Sequence, residues 1–303
     1  MALIAVNAQN YGTDYVAQTP LHSALIESSG PIVIMIHGLK YTPFTPKICP
    51  HRFILSLTPD TTCSRALSWP RHLGFTVENT PLAIGFGWPA GHRIRAAYRT
   101  AKRVGIALAQ LIAEIKRTCP TRPVQIITHS LGARVFFAAL PHLPAHSIGR
   151  AVIMSGAELC DQAQAAMATP AGQTLDLFNI TSRENDLYDC LLEYAVAPLT
   201  WNARAIGAGL GGDVNNWVDI QMDHDGTLVA LGKLGFRIAE PTRRICHWSS
   251  YIRPGMFPFY RYLLRAPKDL PLDFLKSQLP IGTTSRWSRI LVPSVRIPGL
   301  PFR

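Results

Sequence analysis

The chain has 303 residues, of which 48% are hydrophobic and only 16% are charged, and its formal net charge is +11. This composition supplies enough apolar surface for a sizeable core and excludes a disordered, highly solvated chain. No apolar run approaches the roughly 20 residues that cross a bilayer, and the start, MALIAVNAQN, lacks the basic segment typical of a secretory signal. We therefore expect a cytoplasmic protein.

The charges and the cysteines are distributed in an informative way. Residues 241–303 hold eleven Lys and Arg against two Asp, whereas residues 155–240 hold twelve acidic residues against four basic ones. Such asymmetry would suit peripheral contact with an anionic membrane or an acidic partner. Because no compact Lys/Arg run appears, we favour a solvated face and expect no nucleic-acid partner. Six cysteines without C-x-x-C spacing indicate free thiols, and the oligomeric state stays open.

The predicted elements begin with a short strand and turns over residues 2–30. Five β-rich apolar runs and three segments with helical apolar spacing follow. The strands are predicted over residues 31–36, 81–86, 124–129, 150–154 and 175–180, and the helices over residues 94–116, 131–140 and 158–168. We expect irregular structure with short helices over 40–80, a loop-rich insertion over 201–235 and a weak strand over 236–238.

The alternation of strand and helix has βαβ spacing, which predicts an α/β fold with a mostly parallel central sheet and helices on both faces. We expect a single domain over residues 1–303, with residues 40–80 as a candidate covering insertion and residues 280–303 as an extended basic tail. Ligands of such sheets bind at the carboxyl ends of the strands. The residues that follow the predicted strands at those ends include His37, Trp88, Ser130, Ser155 and Ser182.

Ser130 lies between the buried run VQIITH and the helical run LGARVFFAAL. A strand-to-helix turn of this kind is typical of a nucleophile elbow, which lifts the serine hydroxyl out of the sheet above a helix N-terminus. The stretch from Thr128 to Gly132 matches the G-x-S-x-G pattern except at its first position, where Thr128 is larger than glycine. The competing interpretation is a serine that only caps the helix, and the upstream His37-Gly38 pair weighs against it.

A serine nucleophile needs a base, and the base needs an acid that orients it; on this architecture the chain order is Ser, acid, His. We predict Asp186 as the acid, because it follows the strand over 175–180 on a loop that can face a histidine. Glu184 is a nearby substitute, and Glu158 and Asp161 are the runner-up positions.

We predict His247 as the base, because it opens a segment that follows the last predicted strand and its loop. The competitor is His224, which lies between two aspartates in the stretch MDHDG and suits a solvated turn.

Acyl transfer also needs backbone N–H donors aimed at the developing oxyanion. Leu131, after the nucleophile, would supply one donor and Leu39 the other, and Gly38 permits the close approach. The residues predicted to contact a hydrophobic substrate are Lys40, Tyr41 and Trp88.

No metal or cofactor is expected. Asp219, Asp223 and Asp225 precede a glycine as in a calcium loop, but the ligand spacing and terminal Glu of an EF-hand are missing. The glycine-rich residues 207–211 lack the preceding strand that a dinucleotide fingerprint requires.

These stretches resemble the α/β-hydrolase superfamily, and within it the bacterial esterase and lipase-like serine hydrolases. The resemblance is carried by IHGL at 36–39, IGFGWPAG at 84–91, THSLG at 128–132, Asp186 and His247. It implies an α/β-hydrolase fold and a reaction that passes through an acyl-enzyme without a cofactor.

The sequence thus predicts a serine hydrolase that cleaves carboxylic esters of hydrophobic or acyl character through Ser130, His247 and Asp186. Two alternatives stay open. One is a membrane-associated lipid acyl hydrolase or thioesterase that uses the basic C-terminal quarter, and the other is a non-catalytic ligand-binding protein on the same fold.

Overall fold

A computed structural model describes residues 3–9, 12, 14–17, 21–60, 67–76, 81–200, 202–210 and 214–291. Within these segments one sheet forms the centre of the molecule. Its strands are β1 (Leu3–Gln9), β2 (Asp14–Ala17), β3 (Ile32–Ile36), β4 (Ala83–Gly87), β5 (Val124–His129), β6 (Arg150–Met154), β7 (Asp176–Thr181) and β8 (Trp217–Gln221). Their order is β2-β1-β4-β3-β5-β6-β7-β8, and every pair is parallel except β1 with β2.

Helices connect the strands and cover the sheet. They are α1 (Leu21–Glu27), α2 (Trp69–His72), α3 (Ile94–Thr118), α4 (Gly132–Ala139), α5 (Cys160–Met167), α6 (Asp186–Val196), α7 (Asp225–Lys233), α8 (Ser249–Ile252), α9 (Met256–Arg265), α10 (Leu272–Gln278) and α11 (Ser288–Leu291). Within the described segments, no helix combines the length and the apolar character that a membrane crossing needs.

The core lies on both sides of the sheet, and β3 illustrates why its sequence is apolar throughout. Alternate side chains of a strand point to opposite faces. Ile32, Ile34 and Ile36 pack with α1, α3, α4 and α5 on one face, whereas Val33 and Met35 pack with α2, α9 and α10 on the other. Buried parallel strands of this kind need helices on both faces. The predicted α/β fold, with a mostly parallel central sheet and helices on both faces, is therefore confirmed.

The two helices nearest the elbow are packed backbone to backbone. A Cβ atom built on Gly105 of α3 would lie 2.6 Å from the Cβ atom of Ala138 in α4. Only a glycine allows this approach, and it presses α4 against the 25-residue helix α3. The helix that begins behind Ser130 is thus held in place by one of the longest elements of the chain.

The structure differs from the sequence predictions mainly after residue 200. The strand predicted over 236–238 is wrong, because these residues have no regular structure and the Phe236 N–H instead donates to the Leu231 carbonyl at the end of α7. The segment 201–235, expected to be loop-rich, contains β8 and α7.

The candidate covering insertion and the tail lie partly outside the described residues. Within 40–80, the described residues form 3₁₀ turns and the short helix α2 in otherwise irregular chain, while 61–66 and 77–80 lie outside. Of the tail predicted to be extended over 280–303, residues 288–291 form α11, and 292–303 lie outside the described residues.

Candidate active site

Ser130 occupies a sharp turn between β5 and α4. Its φ of 55° lies in the left-handed region, which is strained for a residue with a side chain. Three backbone hydrogen bonds hold this conformation: the Ser130 N–H donates to the Met154 carbonyl (3.1 Å), and the Ser130 carbonyl accepts from the Ala157 N–H (2.9 Å) and the Ala133 N–H (3.0 Å). Conformational strain retained in this way is characteristic of functional sites. The geometry is that of a nucleophile elbow.

The elbow tolerates Thr128 because Gly132 has no side chain. A Cβ atom built on Gly132 would overlap the Thr128 hydroxyl oxygen, and it would also lie 2.7 Å from the Ile36 carbonyl oxygen. In the usual G-x-S-x-G pattern the first glycine leaves space between strand and helix. Here Thr128 occupies that position, and the space for its side chain comes from Gly132 at the last position. Thr128 is completely buried, and its hydroxyl has no hydrogen-bond partner among the described residues.

His247 lies just before α8 and is held by a side-chain amide. Its Nδ1 donates to the Oδ1 atom of Asn185 at 2.6 Å, and the Tyr188 ring stacks on the imidazole with 4.7 Å between centroids. An amide oxygen can only accept, so this contact places the imidazole proton on Nδ1. Nε2 is then left with its lone pair, as a general base requires.

The same imidazole lies close to the elbow through His129, the residue before Ser130. The rings of His129 and His247 are 4.6 Å apart between centroids, and Nε2 of His129 lies 3.0 Å from the His247 carbonyl oxygen. Burial, followed by the proximity of His129 and of Lys40, holds the pKa of His247 well below its ordinary value. Burial also lowers the pKa of His129 to about 4. Both rings are therefore neutral at pH 7.

The structure does not bring Asp186, the predicted acid, to His247. Its Oδ2 atom accepts the Trp287 N–H at 2.6 Å, and its Oδ1 atom lies 3.3 Å from the Arg183 guanidinium. The reason is local geometry: Asn185 ends the 3₁₀ turn Arg183–Asn185 and Asp186 begins α6, so their side chains point in different directions. Burial raises the pKa of Asp186.

The other acids and the competing histidine are engaged elsewhere. Glu184 forms an ion pair with Arg253 and accepts the Arg243 N–H, and Glu158 accepts from Arg134 and Tyr98. His224 accepts the Thr227 N–H and caps α7. Asp161, on α5, is exposed and accepts from Gln162.

A carboxyl group does reach His247 indirectly, through Asn185. Asp189 lies one helical turn beyond Asn185 and accepts from its amide nitrogen Nδ2 at 2.9 Å. It is 2% exposed, and burial raises its pKa to about 7. Neither Asn185 nor Asp189 was predicted from the sequence. The signal that could have found them is an Asn-x-x-x-Asp pair whose asparagine precedes the helix that follows β7 and whose aspartate lies in its first turn.

The structure places the two predicted oxyanion donors at the same cavity as Ser130. Leu39 and Leu131 both line the cavity beside Ser130. Neither backbone N–H has an acceptor among the described residues. A Cβ atom built on Gly38 would lie 2.7 Å from the Cβ atom of Ser130, so the loop after β3 touches the elbow. Two free N–H groups beside a hydroxyl are the usual components of an oxyanion hole.

Of the predicted substrate contacts, Lys40 and Tyr41 line the cavity and Trp88 does not. Trp88 is fully buried beneath the loop after β3, where its indole N–H donates to the His37 carbonyl at 2.8 Å and its backbone N–H to His37 Nε2 at 3.0 Å. Nδ1 of His37 in turn donates to the Gly38 carbonyl at 2.8 Å. Trp88 therefore packs beneath the loop that follows β3 and does not line the cavity.

The cavity at the elbow has a volume of about 270 Å³ and a mostly apolar wall. Its aromatic members are Tyr41, Tyr188, Trp248 and Tyr251, and its aliphatic members include Leu39, Ile54, Ile94, Leu191 and Leu192. The charged and polar side chains of the wall include those of Lys40, His129, Ser130, Asp189 and His247. A concave apolar pocket with a few convergent polar groups is the usual form of a small-molecule site.

The described residues contain no group of three or more His, Cys, Asp or Glu side chains that could hold a metal ion. Asp219, in the stretch considered for calcium, accepts instead from the Asn179 amide and the Trp217 indole.

The comparisons with known proteins are weak. The family model described as "Protein of unknown function (DUF726)" matches residues 49–169, which include the elbow. No curated protein matches the chain.

Among solved structures, the chain is similar to acetyl xylan esterases. An iodinated complex is 11% identical with a TM-score of 0.31 over 51% of this chain and 84% of that chain. A second acetyl xylan esterase is 10% identical with a TM-score of 0.36 over 83% and 100%. The catalytic core domain from Trichoderma reesei is 11% identical with a TM-score of 0.34 over 82% and 99%. At such scores the likeness carries no functional argument, so the function is argued from the site itself.

Proposed function

We propose that this chain is a serine hydrolase that cleaves carboxylic esters with a small or medium-sized apolar acyl group. The observation that carries the proposal is the pairing of a strained serine at an elbow with a histidine of the same cavity whose Nδ1 is already engaged by Asn185. A histidine held in this way can accept the serine proton at Nε2.

The proposed reaction has two steps, the formation of an acyl-enzyme and its hydrolysis, and His247 and the backbone donors act in both. The Ser130 hydroxyl oxygen attacks the ester carbonyl carbon while its proton moves to Nε2 of His247, and the oxyanion accepts from the Leu39 and Leu131 N–H groups. The tetrahedral intermediate collapses, and His247 returns the proton to the departing alkoxide, which leaves as the alcohol. Water then attacks the acyl-enzyme by the same path and releases the carboxylic acid.

The neutral state of His247 suits this role. Its lowered pKa means that the imidazole is a free base at pH 7. Asn185 would hold the ring through the step in which it becomes an imidazolium. We therefore propose Asn185, and not Asp186, as the residue that orients His247. Ser130 and His247 keep the roles that the sequence predicted.

The cavity supports the substrate class. Its wall carries several tyrosine, tryptophan, leucine and isoleucine side chains, and a volume of about 270 Å³ is at or below the usual size of drug-sized ligand pockets. We expect hydrolysis to rise with acyl length and then to fall once the acyl chain exceeds the cavity.

The decisive experiment is labelling with a fluorophosphonate, read by intact mass, on the wild type and on Ser130→Ala and His247→Gln. We expect one adduct on the wild type, none on Ser130→Ala and much slower labelling of His247→Gln. His224→Gln is the matched control, because its ring caps α7 away from the cavity, and it should label at the wild-type rate. A wild type that stays unlabelled would reject the proposal in favour of a non-catalytic binding protein.

A second comparison separates the ester hydrolase from the lipid hydrolase or thioesterase. Soluble p-nitrophenyl esters of rising acyl length, the matching thioesters and anionic lipid vesicles are offered to the same enzyme. Turnover of soluble esters that is unaffected by vesicles favours the proposed function. Peripheral membrane contact and a cytoplasmic location stay predictions.

A further inference from the structure

The histidine at the proposed active site is oriented by an amide, and an amide has two different ends. A carboxylate can only accept a hydrogen bond, so it fixes the imidazole tautomer without help. An amide can present either oxygen or nitrogen. If the nitrogen of Asn185 faced His247, the imidazole proton would move to Nε2 and the ring could no longer act as a base. Some further group must therefore decide which end of Asn185 faces the ring.

That group is visible in the structure. The amide nitrogen of Asn185 lies 2.9 Å from Oδ1 of Asp189, while the amide oxygen lies 2.6 Å from Nδ1 of His247. All three side chains are buried or half-buried, with Asn185 and Asp189 each 2% exposed. Because an ionised carboxylate has no hydrogen to donate, only the nitrogen end of the amide can face it.

We propose that Asp189 is a positioning residue that sets the tautomer of His247 by fixing the amide of Asn185. This inference rests on the proposed function and extends the Ser–His pair to Ser130, His247, Asn185 and Asp189. Asp189 does not touch the imidazole. It acts by leaving the Asn185 oxygen as the only end that can accept from Nδ1, so that Nε2 keeps its lone pair in the cavity that Ser130 also lines.

Among the described residues, the carboxyl group of Asp189 makes one hydrogen bond, to Asn185, and its second oxygen, Oδ2, is buried without one. A Cβ atom built on Gly207 would overlap this oxygen, so the carboxylate is pressed against a glycine that leaves it room. An unpartnered buried carboxylate oxygen costs stability, which is typical of a group retained for its function.

The charges around Asp189 oppose one another. Arg286 and Arg183 favour its ionised form, whereas Asp186 and Glu193 disfavour it, and burial outweighs them all. With a pKa of about 7, Asp189 becomes protonated just below neutral pH and can then donate to the amide oxygen of Asn185. The amide is no longer fixed, so we expect activity to fall as the pH falls through about 7. The pKa of His247 itself is too low to produce this limb.

The test compares three variants by kinetics and by ¹⁵N NMR of the His247 ring, assigned with His247→Gln. Asp189→Asn keeps the shape but allows either end of Asn185 to face the ring. We expect kcat to fall between about 10-fold and 10⁴-fold with little change in KM, and the Nε2–H tautomer to appear. Asp186→Asn is the matched control: it is another buried aspartate of the first turn of α6, whose carboxylate contacts the Trp287 N–H and Arg183, and its removal favours the ionised form of Asp189, so the Nδ1–H tautomer should persist.

The third variant exchanges the two side chains. In Asn185→Asp/Asp189→Asn the new carboxylate at position 185 faces His247 directly and can only accept, so the Nδ1–H tautomer should return. We expect kcat to recover to within about tenfold of the wild type and the acid limb near pH 7 to move. The exchange also restores a hydrogen bond between positions 185 and 189, so the tautomer of His247, and not the stability of the fold, identifies this rescue.

Two results would overturn the inference. One is an Nε2–H tautomer of His247 in the wild type, and the other is an Asp189→Asn variant that retains both the Nδ1–H tautomer and the wild-type kcat. If Asp189→Asn does not fold, the wild type and the exchange variant decide the question through the same spectra. The tautomer is read without turnover, so a wild type that shows the Nδ1–H ring but no fluorophosphonate adduct would reject the hydrolase and not the role of Asp189.

Discussion

The Cα atom of Gly38 lies so close to Ser130 that a Cβ atom on it would stand 2.7 Å from the serine Cβ and 2.9 Å from the His129 carbonyl oxygen. The loop after β3 and the nucleophile elbow are therefore fitted to each other through a missing side chain. Any methyl group at position 38 must push the oxyanion donors and the nucleophile apart.

We expect Gly38→Ala to lower kcat/KM by about 10²-fold, because a displacement of the order of 1 Å at the reacting groups has that effect. Initial rates with a soluble ester and the fluorophosphonate labelling rate are the measurements. The matched control is Gly232→Ala, since a Cβ atom there would meet nothing within 4 Å and the residue lies in α7. Wild-type rates in Gly38→Ala would contradict the close fit.

Lys40→Met should raise the pKa of His247. The ammonium group of Lys40 is one of the charges that hold the imidazole pKa down, after burial and His129. An NMR titration of the His247 ring measures the change directly. Lys47→Met, in the same loop region but on the 3₁₀ turn Pro46–Ile48, is the control and should leave the titration in place. A pKa that falls or stays constant in Lys40→Met would show that the ammonium does not act on the ring.

Trp88→Phe should destabilise the fold without changing substrate affinity. The substitution removes the indole N–H that donates to the buried His37 carbonyl, and leaving such an acceptor unpaired costs about 1–3 kcal/mol. Urea unfolding gives the stability and ester kinetics give KM. A large increase in KM at unchanged stability would instead place Trp88 against the substrate, as the sequence alone suggested.

Asp189 should make the folded state less stable as the pH rises. Its pKa is raised from 3.8 in the unfolded chain to about 7 in the fold, so the folded state binds the proton more tightly. The stability that this proton provides is complete below pH 4 and is lost as the pH rises to 7, amounting to roughly 4 kcal/mol.

Asp189→Asn should therefore flatten the stability profile between pH 4 and 7 and be more stable than the wild type at pH 8. Urea unfolding at several pH values measures this, with the exposed Asp161→Asn as the control. Parallel profiles for the wild type and Asp189→Asn would show that Asp189 ionises normally.

The central strands could be predicted from the sequence because their surroundings leave a simple pattern. Strands β3 and β6 are buried on both faces, so β3 is apolar throughout and β6 is apolar from Ala151 to Met154. Strand β8 was not predicted, because Asp219 interrupts its apolar sequence, WVDIQ. The structure explains the interruption: the Asp219 carboxylate accepts from Asn179 and Trp217, so the polar residue has partners inside the sheet.

The neighbourhood of Ser130, Leu39 and Leu131 could also be predicted from the sequence, because Ser130 and Leu131 lie at a strand-to-helix turn and Leu39 follows the neighbouring strand β3; their roles as nucleophile and backbone donors stay predictions. The residue that contacts His247 could not be predicted in this way. Chain order indicated the loop that supplies it but not the residue, because the turn that joins β7 to α6 decides which of the two buried side chains, Asn185 or Asp186, faces His247. A search restricted to carboxylates could not find an amide that depends on a carboxylate four residues later.

Glu184 has a consequence for how the chain could be modified. Its carbonyl accepts the Cys246 N–H at 2.8 Å and its carboxylate binds Arg253, so the segment that carries His247 is fastened on both sides to the residue next to Asn185. The largely exposed stretch 239–242 precedes this fastening. We therefore expect that a loop inserted at 239–242 would leave His247 in contact with Asn185, because the contacts of Glu184 lie after the insertion point.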